Sequence, residues 1–282
     1  MHVAVIGSGT SSKVLPEHLR ELGTAELEPR LVNPRLSAFA FTPYERLIVD
    51  LGYVDAAQRA EREGAAAVLV NSFADYGLEA MRAALGVPVI GAGEATLIAA
   101  ARGGRPFAIV TVWPRSLAHL YDERLRTLAL AEQCVAIRYF SGEEELERVG
   151  AESGVMARMH RGDSSLIAAL REECELAVSQ QGAECIVLGC TCMGPIGPAL
   201  EASVSVPVLE SSTVGLRAAF SEVRHRRPPP LRESAGRRDL VPALVDAWFR
   251  EGGVTPPLAD GDCPVCVVGE PVQRSTGEPA RG

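Results

Sequence analysis

The stretch Ala183-Glu184-Cys185-Ile186-Val187-Leu188-Gly189-Cys190-Thr191-Cys192-Met193-Gly194-Pro195 decides the fold. Cys185 to Leu188 is a short apolar run of the kind that forms a strand buried on both faces, as strands of parallel sheets are. Gly189 ends the run and places the Cys190 thiol at the strand's carboxyl edge, where open α/β sheets bind their ligands. Gly189 and Gly194 flank the turn and let the backbone bend sharply and lie close to a ligand. Taken alone, Cys190 is equally well a small buried hydrophobe.

An echo of this stretch tips the balance. Glu63-Gly64-Ala65-Ala66-Ala67-Val68-Leu69-Val70-Asn71-Ser72 lines up without a gap on Gln181 to Cys190, and Gly86-Val87-Pro88-Val89-Ile90 matches Ser205-Val206-Pro207-Val208-Leu209 after one inserted residue. Each copy reads helix end, glycine, buried strand, polar turn, helix, then Val-Pro-Val opening a further strand. Only two copies fit, so this is no short-period solenoid. The expectation is an α/β fold of two pseudo-symmetric, Rossmann-like parallel-sheet subdomains, with Ser72 and Cys190 facing each other across the cleft between them.

Composition sets outer bounds. With 282 residues, 47% hydrophobic and 23% charged, the chain is that of a globular protein with one large core or two ordinary ones. A net charge of −8 disfavours nucleic acid or an anionic membrane surface as partner. The 7 cysteines are odd in number and scattered, show no disulfide framework, and fit a reducing cytoplasm. The start, Met1-His2-Val3-Ala4-Val5-Ile6, reads as a strand rather than a signal peptide, and no apolar run is long enough to span a bilayer.

Taken in order, the first strand leads into Gly7-Ser8-Gly9-Thr10-Ser11-Ser12 and a helix over 14–22. The loop lacks the third glycine of a dinucleotide fingerprint. It suits a carboxylate or other anion held at a helix N-terminus, or simple capping by Ser11 or Ser12. Residues 37–44 form an aromatic loop (Phe39, Phe41, Tyr44) that suits a cleft wall for a non-polar side group, and a helix follows over 53–62. Phe73 and Asp75 lie in the turn after Ser72, and Asp75 is positioned to cap the helix over 78–85. Thr111 ends a buried strand over 107–112 at the same sheet edge. Helices are expected over 94–101, 117–130, 164–180, 213–223 and 240–249, so the first subdomain comprises 1–98 with 213–250, and the second 99–212. The tail, 251–282, has the Gly, Pro and acidic content of a disordered segment. Its Cys263-Pro264-Val265-Cys266 is one CxxC without the second pair that structural zinc normally needs, and no metal is expected.

A thiol moves protons to and from carbon near neutral pH. Two thiols on opposite faces of a bound carbon acid would take a proton on one side and return it on the other. Ser72 stands where the second thiol would be, and a serine is a poor base, though it donates a hydrogen bond. With these residues in view, the chain resembles the aspartate/glutamate/hydantoin racemase superfamily, in particular the hydantoin racemase branch, over about residues 1–219. The resemblance rests chiefly on Ile186-Val187-Leu188-Gly189-Cys190-Thr191, with Phe73-Ala74-Asp75-Tyr76-Gly77-Leu78-Glu79-Ala80 and Val87-Pro88-Val89-Ile90-Gly91 in support. It implies a cofactor-independent enzyme acting on a small carbon acid, a homo-oligomer, and one catalytic cysteine per half. These map to Cys190, present, and Ser72, departed. Thr10 and Ser11 carry over from the family's Asn-Pro-Asn-Thr-Ser run. Thr111 and Thr191 fall where members supply donors to the substrate, and Phe73, next to Ser72, is counted with them as a substrate contact. Three readings stay open: a racemase or isomerase working through Cys190, a one-cysteine lyase like the arylmalonate decarboxylases, and a non-catalytic relative that binds a small acid or amide.

Overall fold

The computed structural model describes residues 1–7, 14–149, 151–225 and 238–251. The first half contains β1 (His2–Ile6), α1 (Glu17–Arg20), β2 (Glu28–Val32), α2 (Pro43–Arg62), β3 (Ala67–Val70), α3 (Leu78–Ala84), β4 (Val89–Gly91) and α4 (Ala92–Ala100). The second contains β5 (Phe107–Thr111), α5 (Ala118–Thr127), β6 (Cys134–Tyr139), α6 (Val155–His160), α7 (Ser164–Gln181), β7 (Ile186–Leu188), α8 (Gly197–Glu201) and β8 (Val208–Glu210). Helix α9 (Ser211–His225) and helix α10 (Leu240–Arg250) follow.

The strands form two four-stranded parallel sheets, ordered β2-β1-β3-β4 and β6-β5-β7-β8. The second order repeats the first, so β3 and β7 hold the same place, as the internal echo requires. Their residues are wholly buried because helices cover both faces of each sheet. Along β1 and β3, Ala4, Ile6, Val68 and Val70 pack on α2 and α3, while Val3, Val5, Ala67 and Leu69 face Leu216, Ala219 and Phe220 of α9. In the second half, Ala108, Val110, Ile186 and Leu188 face Leu166, Leu170 and Ala177 of α7. Phe107, Ile109 and Val187 face Tyr121 and Leu125 of α5 together with Leu97 and Ala100 of α4. Helix α4 therefore belongs to both halves: its Ala92 packs with the first sheet and its C-terminal end with the second.

Several local expectations are corrected. Helix α2 begins ten residues before Tyr53, at Pro43. Thr42 caps it through a Thr42/Glu45 capping box with proline in the first turn, a strong N-terminal signal. Helix α1 is only four residues long, with Pro16 at its N-cap position. The short helix α6 was not anticipated. Asp75 does not cap the helix that follows it. It holds a left-handed backbone (φ 51°), and its carboxylate instead accepts from Gly93 N at 3.0 Å and Glu94 N at 2.7 Å, capping α4. Helix α3 has Gly77, also left-handed, at its N-cap and no side-chain cap. The stretches holding Thr10, Ser11, Cys263 and Cys266 lie outside the described residues, as does the tail from 252 onward.

Candidate active site

The turns after β3 and β7 meet at one cleft. Asn71, Ser72 and Phe73 line it from the first half, and Gly189, Cys190, Thr191 and Cys192 from the second. Thr191 Oγ1 donates to the Asn71 carbonyl at 3.3 Å, fastening one turn to the other. Two pairs join the halves behind this point. Arg46 on α2 meets Glu123 on α5 at 2.5 Å, and Arg124 lies 3.8 Å from Asp75. The cavity measures about 160 Å³, the scale that admits a small ring.

Cys190 stands at the start of a tight 3-10 turn over Thr191–Ile196, and its Sγ accepts from Cys192 N at 3.2 Å. An N–H aimed at sulfur favours thiolate over thiol. The structure also joins Cys190 to Cys192 as a disulfide, which the scattered cysteines did not suggest. With only Thr191 between its ends, the bond closes a local ring rather than linking distant chain. A disulfide sulfur neither gives nor takes a proton, so the acid/base form of this site is the reduced dithiol. Cys134, Cys174 and Cys185 are free, and burial raises the pKa of each, which keeps them protonated and inert.

The flanking glycines serve the protein rather than a ligand. Neither has a positive φ. A Cβ at Gly189 would lie 2.8 Å from Ile109 Cγ2 and 3.0 Å from the Tyr121 ring, and one at Gly194 would strike the imidazole of His18. Close packing of the turn is what excludes side chains there.

Ser72 reaches the cleft as expected, 9% exposed, its Oγ accepting from Ala74 N at 3.3 Å. Phe73 and Thr191 reach it too. Thr111 does not: it is fully buried one layer behind. Its hydroxyl donates to Tyr121 Oη at 2.6 Å and accepts from Trp113 N at 3.3 Å, while Tyr121 Oη donates to the Gly189 carbonyl at 3.1 Å. Thr111 thus supports the Cys190 turn through Tyr121, whose phenol burial keeps protonated. His18, Asn71, Tyr121 and His160 are cleft residues that the sequence did not single out. Burial lowers the pKa of both histidines, which favours their neutral forms.

Most of the remaining wall is apolar. Phe39, Phe41, Trp113, Leu117, Leu146 and Met156 line it, with Phe39 edge-on to Trp113 at 5.2 Å between centroids. No Asp, Glu, Lys or Arg side chain occurs among the described lining residues.

The family described as Asp/Glu/Hydantoin racemase matches residues 3–219. The chain belongs to that family. It is an isomerase of the racemase class. Among curated proteins it is 28% identical over 194 residues to a hydantoin racemase of Paenarthrobacter aurescens, covering 68% of this chain and 77% of that one. It is 24% identical over 223 residues to a hydantoin racemase of Pseudomonas sp., covering 78% and 84%. Among solved structures, allantoin racemase from Pseudomonas fluorescens superposes with a TM-score of 0.68 at 22% identity, over 84% of this chain and 95% of that one. At these identities the structural likeness speaks for the fold. Among the described residues, no helix is long and apolar enough to cross a membrane, and no group of three or more His, Cys, Asp or Glu side chains could hold a metal ion.

Proposed function

We propose that the protein is a cofactor-independent racemase that inverts a carbon acid, with Cys190 carrying the proton on one face. The observation that carries this reading is the placement of Cys190, with a backbone N–H on its sulfur, in a small cleft that both strand-end turns share. The substrate is a neutral ring of the hydantoin kind bearing an apolar group. An amino acid or a malonate would bring full charges into walls whose described residues include no charged partner, a costly transfer. A cyclic ureide instead meets neutral donors and acceptors around Asn71, Ser72 and Thr191, while its substituent lies against Phe39 and Trp113. As the proton leaves carbon, negative charge grows on the ring oxygen. The N–H groups of Phe73 and Thr191, two cleft residues whose amides make no backbone hydrogen bond among the described residues, would receive it. Names of the relatives agree with this substrate class.

Ser72 in place of a second thiol favours one other reading, a one-cysteine lyase that protonates a carbanion left by loss of carbon dioxide. The test is solvent-deuterium incorporation into enantiopure 5-benzylhydantoin, phenylalanine and phenylmalonate, with reductant present. Exchange and inversion of the hydantoin, with inversion abolished in Cys190→Ala, is the expected result. Carbon dioxide release from phenylmalonate without hydantoin exchange supports the lyase, and no turnover of any of the three removes the enzyme reading.

A further inference from the structure

Inversion needs a proton relay on each face of the carbon, and Ser72 is too weak a base to provide one. The first half offers another group. His18, on α1, descends from the carboxyl edge of the first sheet and lines the cleft that Cys190 enters from the second. Its Nε2 lies 3.1 Å from Ser212 Oγ. Ser212 Oγ lies 2.7 Å from Glu210 Oε1, and Glu210 also receives the N–H groups of Ser212 and Thr213 at 2.8 Å each. Glu210 is thereby fixed at the start of α9 as an acceptor with both oxygens engaged.

Hydrogen counting then sets the tautomer. A serine hydroxyl has one proton, and Glu210, as a carboxylate, can only accept it. Ser212 Oγ must therefore accept from His18 Nε2–H. A neutral imidazole protonated at Nε2 carries its lone pair on Nδ1. Among the described residues that nitrogen has no hydrogen-bond partner. The same chain steadies the imidazolium once a proton is taken, since Glu210 Oε2 is 4.0 Å from Nε2.

We propose that His18 is the acid/base group of the first half, facing Cys190 across the substrate in place of the absent thiol. This rests on the racemase reading above. With one enantiomer, the C–H proton passes to His18 Nδ1, its bonding pair stays on carbon as an enolate, and the Cys190 thiol protonates the opposite face. With the other enantiomer, the Cys190 thiolate takes the proton and the His18 imidazolium returns one. Water restores the starting protonation states.

The test follows deuterium incorporation from heavy water into each enantiomer of 5-benzylhydantoin separately, with dithiothreitol present. Wild-type protein exchanges and racemises both. His18→Gln, which keeps a donor toward Ser212, loses racemisation by at least ~10²-fold yet still exchanges one enantiomer without inverting it. Cys190→Ala exchanges only the other. The acid limb of the exchange that depends on His18 lies below the value of free imidazole, because burial outweighs Glu210 and Glu21, the charged groups facing the ring. That limb disappears in His18→Gln. Ser212→Ala, which leaves the ring untouched, slows the same exchange about tenfold and guards against a folding defect in His18→Gln. Racemisation by His18→Gln within twofold of wild type overturns the proposal, as does equal slowing of exchange in both enantiomers, which marks a merely structural role. Failure of the wild-type protein to exchange either enantiomer overturns the racemase reading itself.

Discussion

Tyr121→Phe probes the support beneath the Cys190 turn. The change deletes one oxygen from a ring that is 2% exposed and leaves its packing volume almost intact. Two hydrogen bonds go with it, from Thr111 Oγ1 at 2.6 Å and to the Gly189 carbonyl at 3.1 Å. Gly189 is buried, and its carbonyl loses this donor. A buried polar group stripped of its partner costs about 1–3 kcal/mol. Thr111 keeps Trp113 N as a donor but loses the acceptor for its own proton, which adds about 1 kcal/mol. The expected loss is therefore about 2–4 kcal/mol, read as a lower midpoint in urea at unchanged m. Thr111→Val removes the first bond together with the acceptor for Trp113 N, so the shared Thr111–Tyr121 bond is counted in both singles and the double mutant should be less destabilised than their sum, with a coupling of about 0.5–2 kcal/mol. Racemisation should fall as well, because Gly189 precedes Cys190. A loss below about 0.5 kcal/mol, or strict additivity with Thr111→Val, would refute the view that this relay holds the turn.

Three further outcomes are expected. Purified without reductant, the protein should be inactive and should recover on adding dithiothreitol, whereas Cys192→Ser, which cannot close the ring, should be active either way; thiol titration alongside the assay checks both. Trp113→Ala should cut kcat/KM for 5-benzylhydantoin about tenfold more than for 5-methylhydantoin, from ~1.4 kcal/mol of lost apolar contact, measured by polarimetry. Gly93→Ala should destabilise by about 1–3 kcal/mol in urea, since the added methyl is driven into the Phe73 carbonyl at the start of α4. That substitution should also slow turnover, because Phe73 follows Ser72 in the cleft wall.

The architecture was legible because both buried strands carry their period and their glycine in plain view: residues 63–72 and 181–190 align without a gap, and β3 and β7 occupy the same slot. The juxtaposition of Ser72 and Cys190 followed from that symmetry. The start of helix α2 is obscure in sequence because Phe41, Pro43 and Tyr44 look like loop, although Thr42 and Glu45 together spell a capping box. Thr111 misleads because ending a strand at the right edge does not say which way a hydroxyl turns, and Tyr121 takes it. His18 was invisible for a deeper reason. Its partners, Ser212 and Glu210, lie 194 and 192 positions away, and no local pattern announces a contact closed by the return of α9 to the first half.

Helix α4 bears on how a ligand gets in. Its two ends are embedded in the cores of different sheets, so swinging the halves apart as doors would strip Leu97 and Ala100 from one core or Ala92 from the other. Each such side chain exposed to water costs on the order of 1–3 kcal/mol. The aperture is thus built to a fixed gauge. Admission then falls to side chains at the rim rather than to any parting of the two sheets.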